Sequence, residues 1–393
     1  MSSPTYPIVG IPIQHGQPLP LRQEITAWQN DDDNRYQVSL FLRALTNFKA
    51  KAVEDPLGYF QIAVFQQLLY ENMLELISKW PINDREKETW RAAASQFRLP
   101  YWDWAQKQVY TGDYGLPQIC TQDTWNIVKP GANGAKEPFD NPLTGFINPK
   151  KDSLGQSVPM GDKSMGPNAI GDDQDNSTEP PTKLPNATGG SYFTSKQKSE
   201  TPVGFTGLGL GHMSDVPVAA FDPIFWLHHC NIDRLCAMWQ ALNWDKWFDS
   251  PQGKDPKPSQ SLPPFHYNTQ SGSWTSDRGR DWRLSNYQYD DLKDMPPGKP
   301  TPVFQASLSQ HINNLYASTS SIVAGTGYTL ENDTFNDYII NVVYDRYALK
   351  GRAYSILFYI GEPTRDFSLS KSDPNFVGAI FTFSAPLISA DGE

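Results

Sequence analysis

Phe221-Asp222-Pro223-Ile224-Phe225-Trp226-Leu227-His228-His229-Cys230-Asn231-Ile232-Asp233-Arg234, residues 221–234, is the stretch on which the reading of this chain turns. Asp222 is a residue type that caps helices, and Pro223 suits a first turn because its missing N–H has no helical partner to lose. Through Leu242, Phe225, Cys230, Ile232, Leu235, Met238, Trp239 and Leu242 recur at spacing that predicts much of one buried helix face. His228 and His229 are neighbours, so about 100° of helix rotation separates them and only one can serve a given ion in ordinary geometry. His229 reads either as a metal ligand or as a core histidine, and His228 as a packing residue. Asp233 stands four residues after His229 on the same face. It is a candidate to orient that imidazole, or alternatively to pair with an arginine such as Arg234.

Upstream, residues 34–50 and 59–80 repeat apolar groups at helical spacing, and Pro81 stops the second run. Residues 84–97 predict a shorter helix with Asp84 as its cap. The cluster Pro100-Tyr101-Trp102-Asp103-Trp104 follows and reads as core. From about 110 to 203 the pattern dissolves into Gly, Pro, Asn, Asp and Ser, which predicts a long irregular insertion. Residues 304–317 predict a short helix. Then 336–347, 353–361 and 376–385 are β-branched and aromatic, and predict strands. The simplest division is a helical domain over 1–299 and a smaller β domain over 300–393.

The net charge of −10 argues against nucleic acid as a partner. No window holds the ~18 apolar residues of a membrane span, and the first residues carry no signal-like run, so the expected location is cytoplasmic. Three cysteines cannot build a disulfide framework. The aromatic content, 13%, is enough for a large core and for a pocket that takes a flat organic ligand.

The 221–234 stretch closely resembles the segment of fungal tyrosinases that delivers the last histidine of the second copper. Asp55–Ala63, Leu99–Ala105, Gly211–Pro223 and Asn286–Leu292 resemble further segments of that family in the same order. The resemblance covers nearly the whole chain. It implies a mainly α fold, a tyrosinase-like helical bundle followed by a β-sandwich-like lid domain. It also implies a coupled copper pair held by six imidazoles, and here the chain departs from the family. There are six histidines in all: His15, His212, His228, His229, His266 and His311. Where the family places its first-copper ligands, Ala63 runs directly into Val64-Phe65-Gln66-Gln67, and no cysteine stands ready for a thioether. The second-copper helix before His212 contains no histidine, and an ungapped count puts Glu200 and Gly204 near the two ligand positions. Only His229 matches a family ligand. His15, His266 and His311 read as structural or surface residues.

If one metal binds, His229, His212 and Glu200 are the candidate ligands, and two imidazoles with one carboxylate suit a single zinc better than a redox pair. Copper is the alternative. His212, on a glycine-rich loop, and Asp233 are the candidate catalytic residues. Such an ion would act as a Lewis acid on a carbonyl, and the expected ligand is a small aromatic molecule containing an amide. A tyrosinase scaffold without its copper ligands is similar to the cyclopenase-type proteins of quinolone alkaloid pathways, fungal zinc lyases that contract a benzodiazepinedione epoxide to a 4-arylquinolone. Two other readings stand beside it: a copper phenol oxidase with ligands placed elsewhere, and a binding protein without activity.

Overall fold

The computed structural model describes residues 6–13, 16–51, 59, 65–108, 112, 116–146, 184–185, 220–246, 257–268, 272–316, 342–345, 349, 354–362 and 375–381. Its helices are α1 (Ile25–Asn30), α2 (Arg35–Lys49), α3 (Phe65–Lys79), α4 (Asp84–Gln96), α5 (Ile224–Leu242) and α6 (Pro302–Leu315), with shorter helical turns between them. All strands described are in two-stranded pairs. The fold is mainly α, as the periodicity predicts.

The starts of α1, α4, α5 and α6 have a visible cause. Glu24 accepts from the backbone N–H groups of Thr26 and Ala27 at the head of α1. Asn83, rather than the expected Asp84, caps α4 by accepting from Glu86 N, which leaves Asp84 inside the first turn where a negative charge is also favourable. Thr301 caps α6, with Pro302 in its first turn. Asp222 caps α5, its Oδ1 accepting from Ile224 N at 3.1 Å.

Two compact units are present. The first comprises residues 1–103, 122–142 and 226–316, the second 104–121, 143–225 and 317–393. α6 falls in the first unit, and its Gln305 donates to the carbonyls of Ala241 and Leu242 at the end of α5.

In the first unit α2, α3 and α4 pack together through edge-on aromatic contacts. Trp28 meets Phe41 and Phe97, and Trp90 meets both Tyr36 and Trp80. Leu40, Phe41, Leu45, Phe48, Leu69 and Ile77 are fully buried in this layer or nearly so. Strands Thr124–Val128 and Lys136–Asp140 form an antiparallel pair, and Ser39 of α2 accepts from Val128 N at 2.8 Å. Trp102 is buried and its backbone N–H donates to Leu227 O of α5 at 3.1 Å, and Tyr101 and Asp103 are buried with it as expected, while Trp104 is half-buried. A buried charge cluster also fastens α5. Arg234 bonds Asp103 at 3.1 Å and Asp291 at 2.6 Å and 2.9 Å, and Tyr316 donates to Asp103 at 2.7 Å.

In the second unit, Ser355–Tyr359 and Phe376–Phe381 pair antiparallel, in the two places where strands are expected toward the C-terminus. Residues 342–345, inside the other expected strand, have no regular structure. Among the described residues no helix is long and apolar enough to cross a membrane.

Candidate functional site

α5 carries the site because its faces meet different surroundings. Leu227, His228, Cys230, Asn231 and Arg234 point into the protein and are buried. His229, Ile232, Asp233, Cys236 and Trp239 lie on an exposed stripe. Ile232 and Trp239, expected on the buried face, are instead 41% and 51% exposed. They sit seven residues apart, two helical turns, on the stripe that His229 shares.

His229 lines a cavity of about 270 Å³ within the first unit. Its walls are largely apolar: Phe65 from the start of α3, Trp226 from α5, Leu99 and Tyr287. Phe65 and Trp226 stack, with ring centroids 4.5 Å apart and planes within 2°. The polar groups include His229, Arg22, Gln66, Gln67 and Ser285. Partial burial of its ring lowers the His229 pKa, so the imidazole is neutral at pH 7 and has a lone pair to offer an ion or a proton. The cavity also includes the Cys230 thiol, but burial pushes its pKa up to about 11 and keeps it protonated, a poor ligand.

Arg22 stands at the back of the cavity with its guanidinium 3.7 Å from the centroid of the Tyr287 ring. It donates to Asp233 Oδ2 at 3.2 Å and, through Nη2, to Gln66 Oε1 at 3.2 Å. Burial opposes its charge, the Asp233 carboxylate that it bonds favours it, and its pKa stays above the ordinary value. Tyr287 and Tyr289 both donate to the same oxygen of Asp233, at 2.6 Å and 2.7 Å. Burial drives both phenol pKa values up, so they act as donors and not as phenolates.

Of the candidates read from sequence, His229 is at the cavity. Asp233 is one turn further along α5, and its partners among the described residues are Arg22, Tyr287 and Tyr289. Arg234, named as its possible partner, instead serves Asp103 and Asp291. His228 is 2% exposed, and burial followed by the neighbouring His229 drops its pKa to about 3, as suits a packing residue. His212, Glu200 and His15 lie outside the described residues. His266 lies on the strand Ser261–His266, and His311 Nε2 is 2.7 Å from Asp291 Oδ1. Arg22, Gln66 and the Phe65–Trp226 stack were not legible as site residues. Arg22 comes from the two-residue strand Leu21–Arg22, which no motif marks, and the other three read as helix residues.

The donor set decides what metal centre fits. Six imidazoles are required for a coupled copper pair, and the chain has six histidines. His311 is bound to Asp291, so at most five remain. A six-imidazole dicopper centre does not fit this chain. Among the described residues no group of three His, Cys, Asp or Glu side chains is gathered for any metal.

Comparison with known proteins gives the lineage. The common central domain of tyrosinase matches residues 67–242 and the tyrosinase C-terminal domain matches residues 337–392. A tyrosinase of Aspergillus fumigatus is 30% identical, covering 99% of this chain and 80% of its own length. That alignment runs over 520 positions and the chain has 393 residues, so at least 127 positions (520 less 393) have no counterpart here. The tyrosinases of Neurospora crassa and Podospora anserina are 26% and 27% identical over 65% of this chain, which spans about half their lengths, 43% and 52%. Among solved structures, the apo-protyrosinase of Aspergillus oryzae superposes with a TM-score of 0.68 at 25% identity, over 97% of this chain and 85% of that one. A scaffold preserved over nearly the whole chain, with both tyrosinase domains in order, places this protein in the tyrosinase family.

Proposed function

We propose that this chain is a non-oxidative enzyme on a tyrosinase scaffold, binding a small aromatic amide or lactam in the cavity beside His229. The activity we assign is of the cyclopenase type, contraction of a benzodiazepinedione epoxide to a 4-arylquinolone. The observation that carries the non-oxidative reading is the histidine inventory: of six imidazoles, His311 is bound to Asp291, which leaves too few for a coupled copper pair. The substrate class rests on the stacked Phe65–Trp226 wall facing a neutral imidazole in a largely apolar cavity.

The proposed cofactor is one zinc ion on His229, His212 and Glu200. Of these, His229 lies among the described residues. Bound zinc would supply Lewis acidity toward an amide carbonyl. The chain's own groups act independently of it. The aromatic wall holds the flat part of the ligand, the apolar lining excludes water, and the neutral His229 can accept a proton at its ring nitrogen. Asp233 holds Arg22 and the two tyrosines behind the cavity.

One further reading has a specific support. The relatives from Aspergillus, Neurospora and Podospora are named tyrosinases, which favours a copper-dependent phenol oxidase. The two separate in one experiment. Purified protein is incubated with cyclopenin, and in parallel with a diphenol after copper loading. Quinolone formation well above the buffer rate, without diphenol oxidation, is expected. Cyclopenin turnover no faster than buffer would remove the lyase reading, and copper-dependent oxygen uptake would restore the oxidase.

A further inference from the structure

Two consecutive glutamines line the cavity, and their hydrogen bonds set them apart. Gln67 is fully used: its Oε1 accepts from Val9 N at 3.1 Å, and its Nε2 donates to Tyr6 Oη at 3.0 Å and Pro7 O at 3.3 Å. It fastens the N-terminal segment. Gln66 is used at one end only. Its Oε1 accepts from Leu99 N at 2.9 Å and from Arg22 Nη2 at 3.2 Å. Both partners are obligate donors, so the amide cannot be turned over without setting N–H against N–H. Nε2, at the other end of the same planar group, has no partner among the described residues. It is not among the buried polar atoms left without one, so it reaches open space.

We infer that Gln66 is a specificity-determining residue whose Nε2–H donates to a carbonyl oxygen of the ligand. The inference rests on the cavity reading above and deepens it, naming the side chain that recognises the carbonyl of the aromatic amide or lactam. The amide is held before any ligand arrives. Arg22 is itself fixed by Asp233, Tyr289 and the Tyr287 ring, so the donor is aimed at little further entropic cost. An aromatic ligand without an acceptor would leave this donor facing an apolar wall and lose water from it uncompensated.

The test uses the full chain and two bicyclic probes, oxindole, which carries a lactam carbonyl, and indole, which has the same ring frame without it. Binding is read by isothermal titration. Wild type is expected to hold oxindole about tenfold tighter than indole. Gln66→Glu keeps an oxygen for Leu99 N and Arg22 but replaces the donor with a second acceptor. It should lose that preference, with indole affinity within about twofold of wild type. Gln66→Met removes the donor without adding charge and should do the same. Oxindole preference retained in both variants overturns the assignment and leaves the cavity reading standing. Failure of wild type to bind either probe overturns the cavity reading and this assignment together.

Discussion

The ring of Phe65 lies parallel to that of Trp226, with 2° between the planes and centroids 4.5 Å apart. One residue begins α3 and the other sits in the first turn of α5, so the stack ties together the two helices that flank the cavity. The two rings do different work. Phe65 is 4% exposed and belongs to the core, while Trp226 is half-buried and offers surface to a ligand. Trp226→Ala is expected to weaken binding of a bicyclic aromatic probe about tenfold with a small change in Tm. Phe65→Ala should cost about 3–5 kcal/mol of stability, measured by urea unfolding. Equal effects of the two variants on stability would contradict this division.

Asp233 gathers Arg22, Tyr287 and Tyr289 on one oxygen. Its side chain is 48% exposed, but that of Arg22 is 11% exposed, so removing the carboxylate strands a mostly buried cation. Asp233→Ala should destabilise by about 1–3 kcal/mol, a range below that of fully buried pairs because water reaches the aspartate. Asp233→Asn should recover part of the loss, since its amide oxygen still accepts from one tyrosine. Chemical denaturation of both variants checks the order.

Arg234 is a contrasting case, with both ends of its ion pairs out of water. Its side chain and that of Asp103 are each 1% exposed, and Asp291 is 6% exposed. Arg234→Met would take the guanidinium from two buried carboxylates and should cost about 3–5 kcal/mol. Adding Asp103→Asn and Asp291→Asn to that variant should return a good part of the stability, whereas additive losses would show that the charges are not coupled.

Glu24 caps α1 while largely buried, and burial, only partly opposed by the N–H groups of Ala27 and Thr26, raises its pKa from the ordinary 4.5 to about 7. The folded state therefore holds this proton more tightly than the unfolded chain. The stability so gained is complete below about pH 4.5 and is lost as pH rises through about 7. Glu24→Gln removes that dependence. Relative to wild type the variant should gain about 2–3 kcal/mol between pH 4.5 and pH 8, read from unfolding midpoints. Parallel pH profiles for the two proteins would contradict the assignment.

Much of the helical frame was legible because apolar spacing and caps are local signals. Residues 34–50 and the head of α5 are placed by them to within a residue or two. The misses are of a different kind. Asn83 and Asp84 are both capping types, and only backbone geometry chooses between them. Ile232 and Trp239 fit a buried stripe by spacing, but whether a helix face is covered depends on what packs against it, which periodicity does not encode. At the site His229 was legible from its motif, while Arg22 and Gln66 were not. Their roles arise from contacts across 211 and 33 residues of sequence, to Asp233 and Leu99 respectively.

The metal content of the purified full chain, compared with His229→Ala, tests the non-oxidative reading most directly. Elemental analysis of protein prepared without added metal should find about one zinc per chain in wild type and a loss of it in the variant. Copper loading should produce no oxygen-bridged copper absorption band. Two coppers per chain together with that band would contradict the central claim and return this protein to the oxidases of its family.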